Sequence, residues 1–230
     1  MTGPRAATLA GGLDLLERSL HYTRSALAEV GPGDLRRPTP CAGWSLGDLL
    51  AHMEDSLDTF TEAATGRVDL APATTGLVPG PRVDRLQAKA CALLGAWRLS
   101  ARDDRSACSG AGLDGPGGAT VGGLALGAGL LVAMAALEVT VHGWDVGWSL
   151  SPARPVPEPL AESLLEVAHV LVGPEDRVTR FAAPVAVPVG APASARLVGF
   201  LGRAPDHQPP SGGRLGKIPA ERPSRVPRDS

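Results

Sequence analysis

Glu138 and His142 stand four residues apart in a stretch that is otherwise apolar. On a helix, positions i and i+4 stack on one face, so this spacing points a carboxylate and an imidazole the same way. A lone buried carboxylate is costly unless it is neutralised, paired or bound to a cation. Asp145 extends the same face by one more turn. His52 lies four residues after Asp48 on an earlier helical pattern, at the edge of its apolar stripe between Leu49 and Met53. If the two helices are neighbours, His52, Glu138 and His142 converge. Two imidazoles and a carboxylate are three ligands that leave room for water or substrate on Zn²⁺. The same set suits non-haem Fe(II), so ligand types alone do not choose the metal.

Plainer structural roles fit the same residues. A Glu and a His four apart on a helix often make a salt bridge or a core hydrogen bond, and a single His beside an apolar stripe is usually a satisfied core or rim residue. Asp48 stands three residues after Ser45, the spacing of a capping box, and that role is favoured for it. Asp145 fits a hydrogen bond near the end of its helix, a contact behind the ligands, or a proton acceptor. Cys41 reads as a free structural thiol rather than a nucleophile, and Trp144 as a packing residue. His21, His169 and His207 lack carboxylate or His partners at useful spacing and are expected at the surface.

The elements that must position these groups are helices. Leu9, Leu13, Leu16, Leu20, Thr23, Leu27 and Val30 recur at steps of four and three, the seam of an amphipathic helix that Gly31-Pro32-Gly33 stops. A second helix carries Leu46, Leu50, Met53, Leu57, Phe60 and Ala64, with Ser45 as N-cap and Trp44 placed to staple onto Leu49. After a Pro/Gly/Thr loop over 66–81, a third helix carries Val83, Leu86, Ala90, Leu93 and Trp97. The fourth is expected from about Thr120 to Trp148, apolar nearly all round and therefore the most buried. A shorter helix follows with Leu160, Leu164, Val167 and Leu171, then an extended FAAPVAVPV segment over 181–189 and a short helical piece over 194–201. Four long helices with loose links make a bundle, whose ligand sites sit between facing helices.

Composition narrows the function. Hydrophobic residues make up 43% of the 230, enough for a sizeable core, and aromatics only 3%, so that core is built from Leu, Val and Ala. The net charge of −2, from 22 basic and 24 acidic residues, gives no footprint for nucleic acid or an anionic membrane. Cys41, Cys91 and Cys108 contain no CxxC, which argues against a disulfide framework and a thiolate zinc site. The N-terminus lacks the apolar core of a signal peptide, so a cytoplasmic protein is expected. Ala119 to Leu137 is uncharged and long enough for a membrane span, but its four glycines and the absence of flanking Lys/Arg favour a buried helix. From Ala204 onward the chain is Pro-rich, basic and free of aromatics, which predicts a disordered tail over 204–230 after a bundle over 1–203.

Three blocks carry a family likeness. PTPCAGWSLGDLLAH over 38–52 and LEVTVHGWD over 137–145 resemble the signature blocks of the mycothiol-dependent maleylpyruvate isomerase-like branch of the DinB superfamily. The 181–189 segment, with the helix running into GFLGR over 199–203, is similar to the C-terminal signature of the same actinobacterial metal-binding proteins. The resemblance spans residues 9–205 and is weakest over 66–120. It implies an all-α fold, a DinB-like four-helix bundle with a short C-terminal extension, holding one divalent metal. The family's metal-binding His on the second helix matches His52, and its Glu and His on the last bundle helix match Glu138 and His142.

The resemblance also implies zinc as the usual metal and mycothiol as cosubstrate, while the sequence leaves nickel and iron open. The chain is then expected to be an enzyme that activates a low-molecular-weight thiol for S-transfer to, or isomerisation of, a small electrophile. Asp145 is the candidate catalytic residue beside the metal ligands. The isomerase proper carries a larger C-terminal domain, so maleylpyruvate is not the expected substrate. A metal-dependent hydrolase or lyase using water as nucleophile stays open, as does a binding bundle without catalysis. No Arg or Lys cluster in the blocks announces an anionic ligand. A homodimer, common in the superfamily, would cover a largely apolar helix face.

Overall fold

The computed structural model describes residues 8–65, 79–108, 118–121, 124–150, 154–177 and 180–205. The four-and-three rhythm at its start becomes α1 (Leu9–Leu27), opened by Thr8, whose hydroxyl accepts from the Gly11 amide at 3.1 Å. Helix α2 (Leu46–Ala64) begins on the expected capping box. The Ser45 amide donates to Asp48 Oδ2 at 3.0 Å and the Asp48 amide to Ser45 Oγ at 3.3 Å, so Asp48 does have its structural role. Helix α3 (Pro79–Cys108) buries Leu86, Leu93 and Trp97, and α4 (Ala128–Leu150) is buried nearly all round. Helices α5 (Glu158–Leu171) and α6 (Ala193–Phe200) follow where expected.

The first four helices close a ring in the order α1, α4, α2, α3, and α5 packs on α4 and α1 with α6 against it. The most extensive contact is between α1 and α4, and small residues make it possible. A Cβ on Gly143 would lie 2.2 Å from Thr23 Oγ1 and 3.0 Å from Thr23 Cα; one on Gly12 would lie 2.7 Å from the Gly129 carbonyl oxygen. The Thr23 hydroxyl donates to the Val139 carbonyl at 2.8 Å, tying the two backbones. This close approach fixes the rotation of α4 and turns Glu138 and His142 toward α2.

A different expectation fails at the start of the fourth helix. Residues from Thr120 do not begin it: β1 (Gly118–Val121) pairs antiparallel with β2 (Leu124–Gly127), with Val121 opposite Leu124. The intervening residues are Gly122-Gly123, the type of pair that two-residue hairpin connections favour, and glycine is a poor helix former. The uncharged run is therefore split between a hairpin and a helix. By length and composition α4 alone still reaches the threshold for a span, yet 83% of its apolar window is buried inside the protein.

On the other side of α2, Glu54 is buried and pairs with the equally buried Arg82 of α3 at 3.3 Å. Arg82 also donates to the Gly47 carbonyl at 2.8 Å. The expected tail is described only at Ala204 and Pro205; 206–230, with His207, lie outside the described residues, as do 66–78 of the loop before α3. His21 and His169 are exposed, as expected, although His169 sets its ring against Phe200 at 4.5 Å between centroids.

The extended 181–188 segment lies along α6, where the Val185 amide donates to the Gly199 carbonyl at 2.9 Å. Helix α6 ends in a Schellman motif: the Gly202 amide reaches the Gly199 carbonyl and the Arg203 amide reaches the Val198 carbonyl at 2.9 Å. Gly202 adopts a φ of +84°, which L side chains rarely do, and that reversal sends Arg203 back into the bundle.

Candidate functional site

The ring order makes α2 and α4 neighbours, and three side chains meet between them. His52 Nε2 lies 2.8 Å and His142 Nε2 3.1 Å from the same oxygen, Glu138 Oε1. All three donor atoms lie within 4.8 Å of one another. The two imidazole rings stand nearly perpendicular at 5.0 Å between centroids, and Trp44 sets its ring edge-on to His52 at the same separation. The Ser56 hydroxyl, one turn beyond His52, donates to Glu138 Oε1 at 3.3 Å.

Behind His142 sits a second layer of charge. His142 Nδ1 donates to Asp145 Oδ2 at 3.0 Å, and Arg203 grips both oxygens of Asp145, at 3.2 Å from Nε and 2.8 Å from Nη2. Cys41 joins from the tight loop before α2, with Sγ 3.5 Å from Asp145 Oδ2 and 3.7 Å from Arg203 Nη2. That loop is pinned by the Leu46 amide donating to the Arg37 carbonyl at 2.8 Å and turns through Gly43 at φ +79°. Asp145 is completely buried and lines neither of the cavities that reach Glu138. Its two oxygens are taken up by His142 Nδ1 and by Arg203.

The charges follow from these contacts. Burial works to raise the Glu138 pKa, but the His142 charge and hydrogen bonds from both imidazoles override it and hold the carboxyl well below its usual range. Burial works to lower His142, and the Glu138 charge with the bond to Asp145 hold it well above its usual value instead. Asp145 is likewise pushed up by burial but pulled down to about 2 by Arg203 and His142. His142 is thus held as a cation against the ionised Glu138, a pairing that a divalent cation could replace. A nitrogen–oxygen–nitrogen donor set, with one imidazole backed by a carboxylate, fits such a cation.

The site opens onto a cleft of about 900 Å³ bounded by the Cys41 loop, α2, α4 and the C-terminal segment. Three arginines line it, of which only Arg203 comes from the signature blocks. Each is committed: Arg203 to Asp145, Arg180 to Asp176 Oδ1 at 3.1 Å, and Arg177 to the Phe200 carbonyl at 2.7 Å with its guanidinium over the Phe200 ring. Arg203 and Cys41 were missed as site residues. Both lay inside the recognised blocks, but nothing local announced that their side chains would meet Asp145.

Fold and donor set together define a helix-bundle protein with a histidine–glutamate–histidine centre at the wall of an open cleft. The model of the mycothiol maleylpyruvate isomerase N-terminal domain matches residues 16–147, more than half of the chain. The protein belongs to that family, the branch to which its signature blocks pointed. Among solved structures, the mycothiol-dependent maleylpyruvate isomerase is similar at 18% identity over 73% of this chain and 70% of that one, with a TM-score of 0.42. A histidine-to-alanine mutant of that isomerase is similar at the same identity and coverage, with a TM-score of 0.40. No curated protein sequence matches.

Proposed function

We propose that the protein is a metal-dependent enzyme in which His52, Glu138 and His142 hold a divalent ion, zinc in the first instance, that activates a small thiol. The observation carrying this is the convergence of three donor atoms within 4.8 Å on the wall of a cleft of small-molecule size. An ion bound there would favour the thiolate, whereas a free thiol of pKa ~8.5 is mostly protonated at neutral pH. Mycothiol is the thiol that the family suggests.

The chain's own residues do the rest. Asp145 fixes the orientation of His142 and directs Nε2 at the site, and Arg203 keeps Asp145 ionised. Ser56 holds the Glu138 carboxylate, and the Trp44 ring packs edge-on against His52. A thiolate sulfur placed in the cleft adds to an electrophilic carbon. Loss of a leaving group then completes S-transfer, while rotation and expulsion of the same thiolate completes isomerisation.

Metal analysis of the purified chain tests the reading, beside His52→Ala and His142→Ala. About one zinc per chain, lost in both variants, is the expected result. No uptake of zinc, nickel or iron by the wild type would reduce the three residues to a structural contact and end the proposal.

A further inference from the structure

Glu138 and His142 face a second space. A separate chamber of about 340 Å³ lies inside the ring of α1, α2, α3 and α4, and it shares Ser56, Phe60, Glu138 and His142 with the large cleft. Leu20, Leu27, Met53, Leu57, Leu86 and Leu94 make its walls. The exposed side chains His21, Arg24 and Cys91 stand at its mouth between α1 and α3. It opens to solvent at that mouth, and its walls are of the apolar kind that accepts aromatic or aliphatic groups. An enclosed apolar cavity of ~150 Å³ takes up benzene; this open space is more than twice as large and has polar groups at its inner end. Its walls oppose charge, since a carboxylate among the leucines would be stripped of water; the cationic groups stand only at its two ends, Arg24 at the mouth and His142 beside Glu138.

Resting on the thiol-enzyme reading above, we propose that this chamber binds the body of the electrophilic substrate. The substrate is an uncharged molecule with an aromatic or branched alkyl group of about one to two rings, by comparison with benzene in the smaller cavity. It approaches Glu138 and His142 from the α1–α3 side, while the polar thiol occupies the cleft on the other side. The bodies of the two reactants then lie in different spaces, and the reacting carbon and sulfur come into contact where those spaces adjoin, at Ser56, Glu138 and His142.

Two methionines report the two spaces separately, because Met53 lines the chamber and Met134 lines the cleft. The test uses the full metal-loaded chain with ¹³C-methyl methionine, titrated with p-xylene. A saturable shift of the Met53 methyl with Met134 unmoved is expected. Ala90→Phe, which projects a ring into the chamber, should weaken p-xylene at least tenfold, and Ala90→Leu by less, with metal content equal to wild type marking both as folded. In turnover of benzyl chloride with N-acetylcysteine, a carbon–sulfur bond forms, chloride leaves and the thiol proton passes to buffer. There p-xylene should compete with the electrophile and not with the thiol.

A p-xylene shift confined to Met134, no saturable shift at all, unchanged affinity in both Ala90 variants, or competition against the thiol would each overturn the proposal. Loss of the thiol-enzyme reading looks different. The chain would then take up no metal and turn nothing over, while p-xylene still bound beside Met53.

Discussion

The two long faces of α4 are built on opposite terms. Toward α1 it presents Gly129, Val132, Ala133 and Gly143, and Gly12 and Thr23 press against that face until a single added methyl group has no room. Toward α2 it presents Glu138 and His142, and that side opens into a chamber and a cleft. The contrast shows how a bundle affords an imperfectly filled site. A tight, polar-poor contact holds the helix register, so the other face can carry charged groups and empty space without letting the helix turn to bury them. The deep end is closed by Arg203 and Asp145, which lock His142 from behind.

The sharpest way to break that contrast is at the buried anchor. Asp145→Ala leaves Arg203 buried and unpaired, and breaking such a pair costs about 3–5 kcal/mol. A urea midpoint that falls by less than half of the corresponding amount would show that Arg203 finds another partner. Asp145→Asn keeps the shape and removes the charge; it should weaken metal affinity by ~10–100-fold in a chelator competition while the fold survives. Unchanged affinity would mean that His142 needs no support from behind.

The tight face breaks next. Gly143→Ala places a methyl group against the Thr23 backbone as well as its side chain, and overpacking of this kind costs about 1–3 kcal/mol. Because α4 must shift to accept it, metal affinity should fall together with thermal stability. Stability lost with full metal affinity would separate the two faces and contradict the link between them.

Acid gives a milder probe. The folded Asp145 pKa of about 2 lies below the ~3.9 of an unfolded aspartate, so its contribution is complete above pH ~5 and is lost as pH falls through 2. Between pH ~5 and ~2 the wild type should lose about 2 kcal/mol that Asp145→Asn does not lose, measured by urea unfolding at stepped pH. Parallel curves would place the ion pair outside the stability of the fold. The smallest effect is expected from Thr23→Val, which deletes one hydrogen bond to the Val139 carbonyl and costs about 1 kcal/mol. A neutral outcome would mean that packing alone joins α1 to α4.

Local geometry was written in the order of residues. The four-and-three spacing of leucines, the Ser45–Asp48 box and the shared face of Glu138 and His142 all depend on contacts within one or two turns, which backbone geometry supplies wherever a helix forms. The Gly122-Gly123 pair carried a hairpin signal as well, but the surrounding apolar run masked it. Which helices touch depends on how small residues on α1 and α4 fit across more than a hundred positions of chain. Only that packing puts His52 against Glu138, brings Arg203 from the turn after α6 and Cys41 from the loop before α2 onto Asp145, and leaves a chamber beside a cleft. Such pairings carry no mark in either partner's neighbourhood, because they are decided by the shape of surfaces that exist only once the bundle has closed.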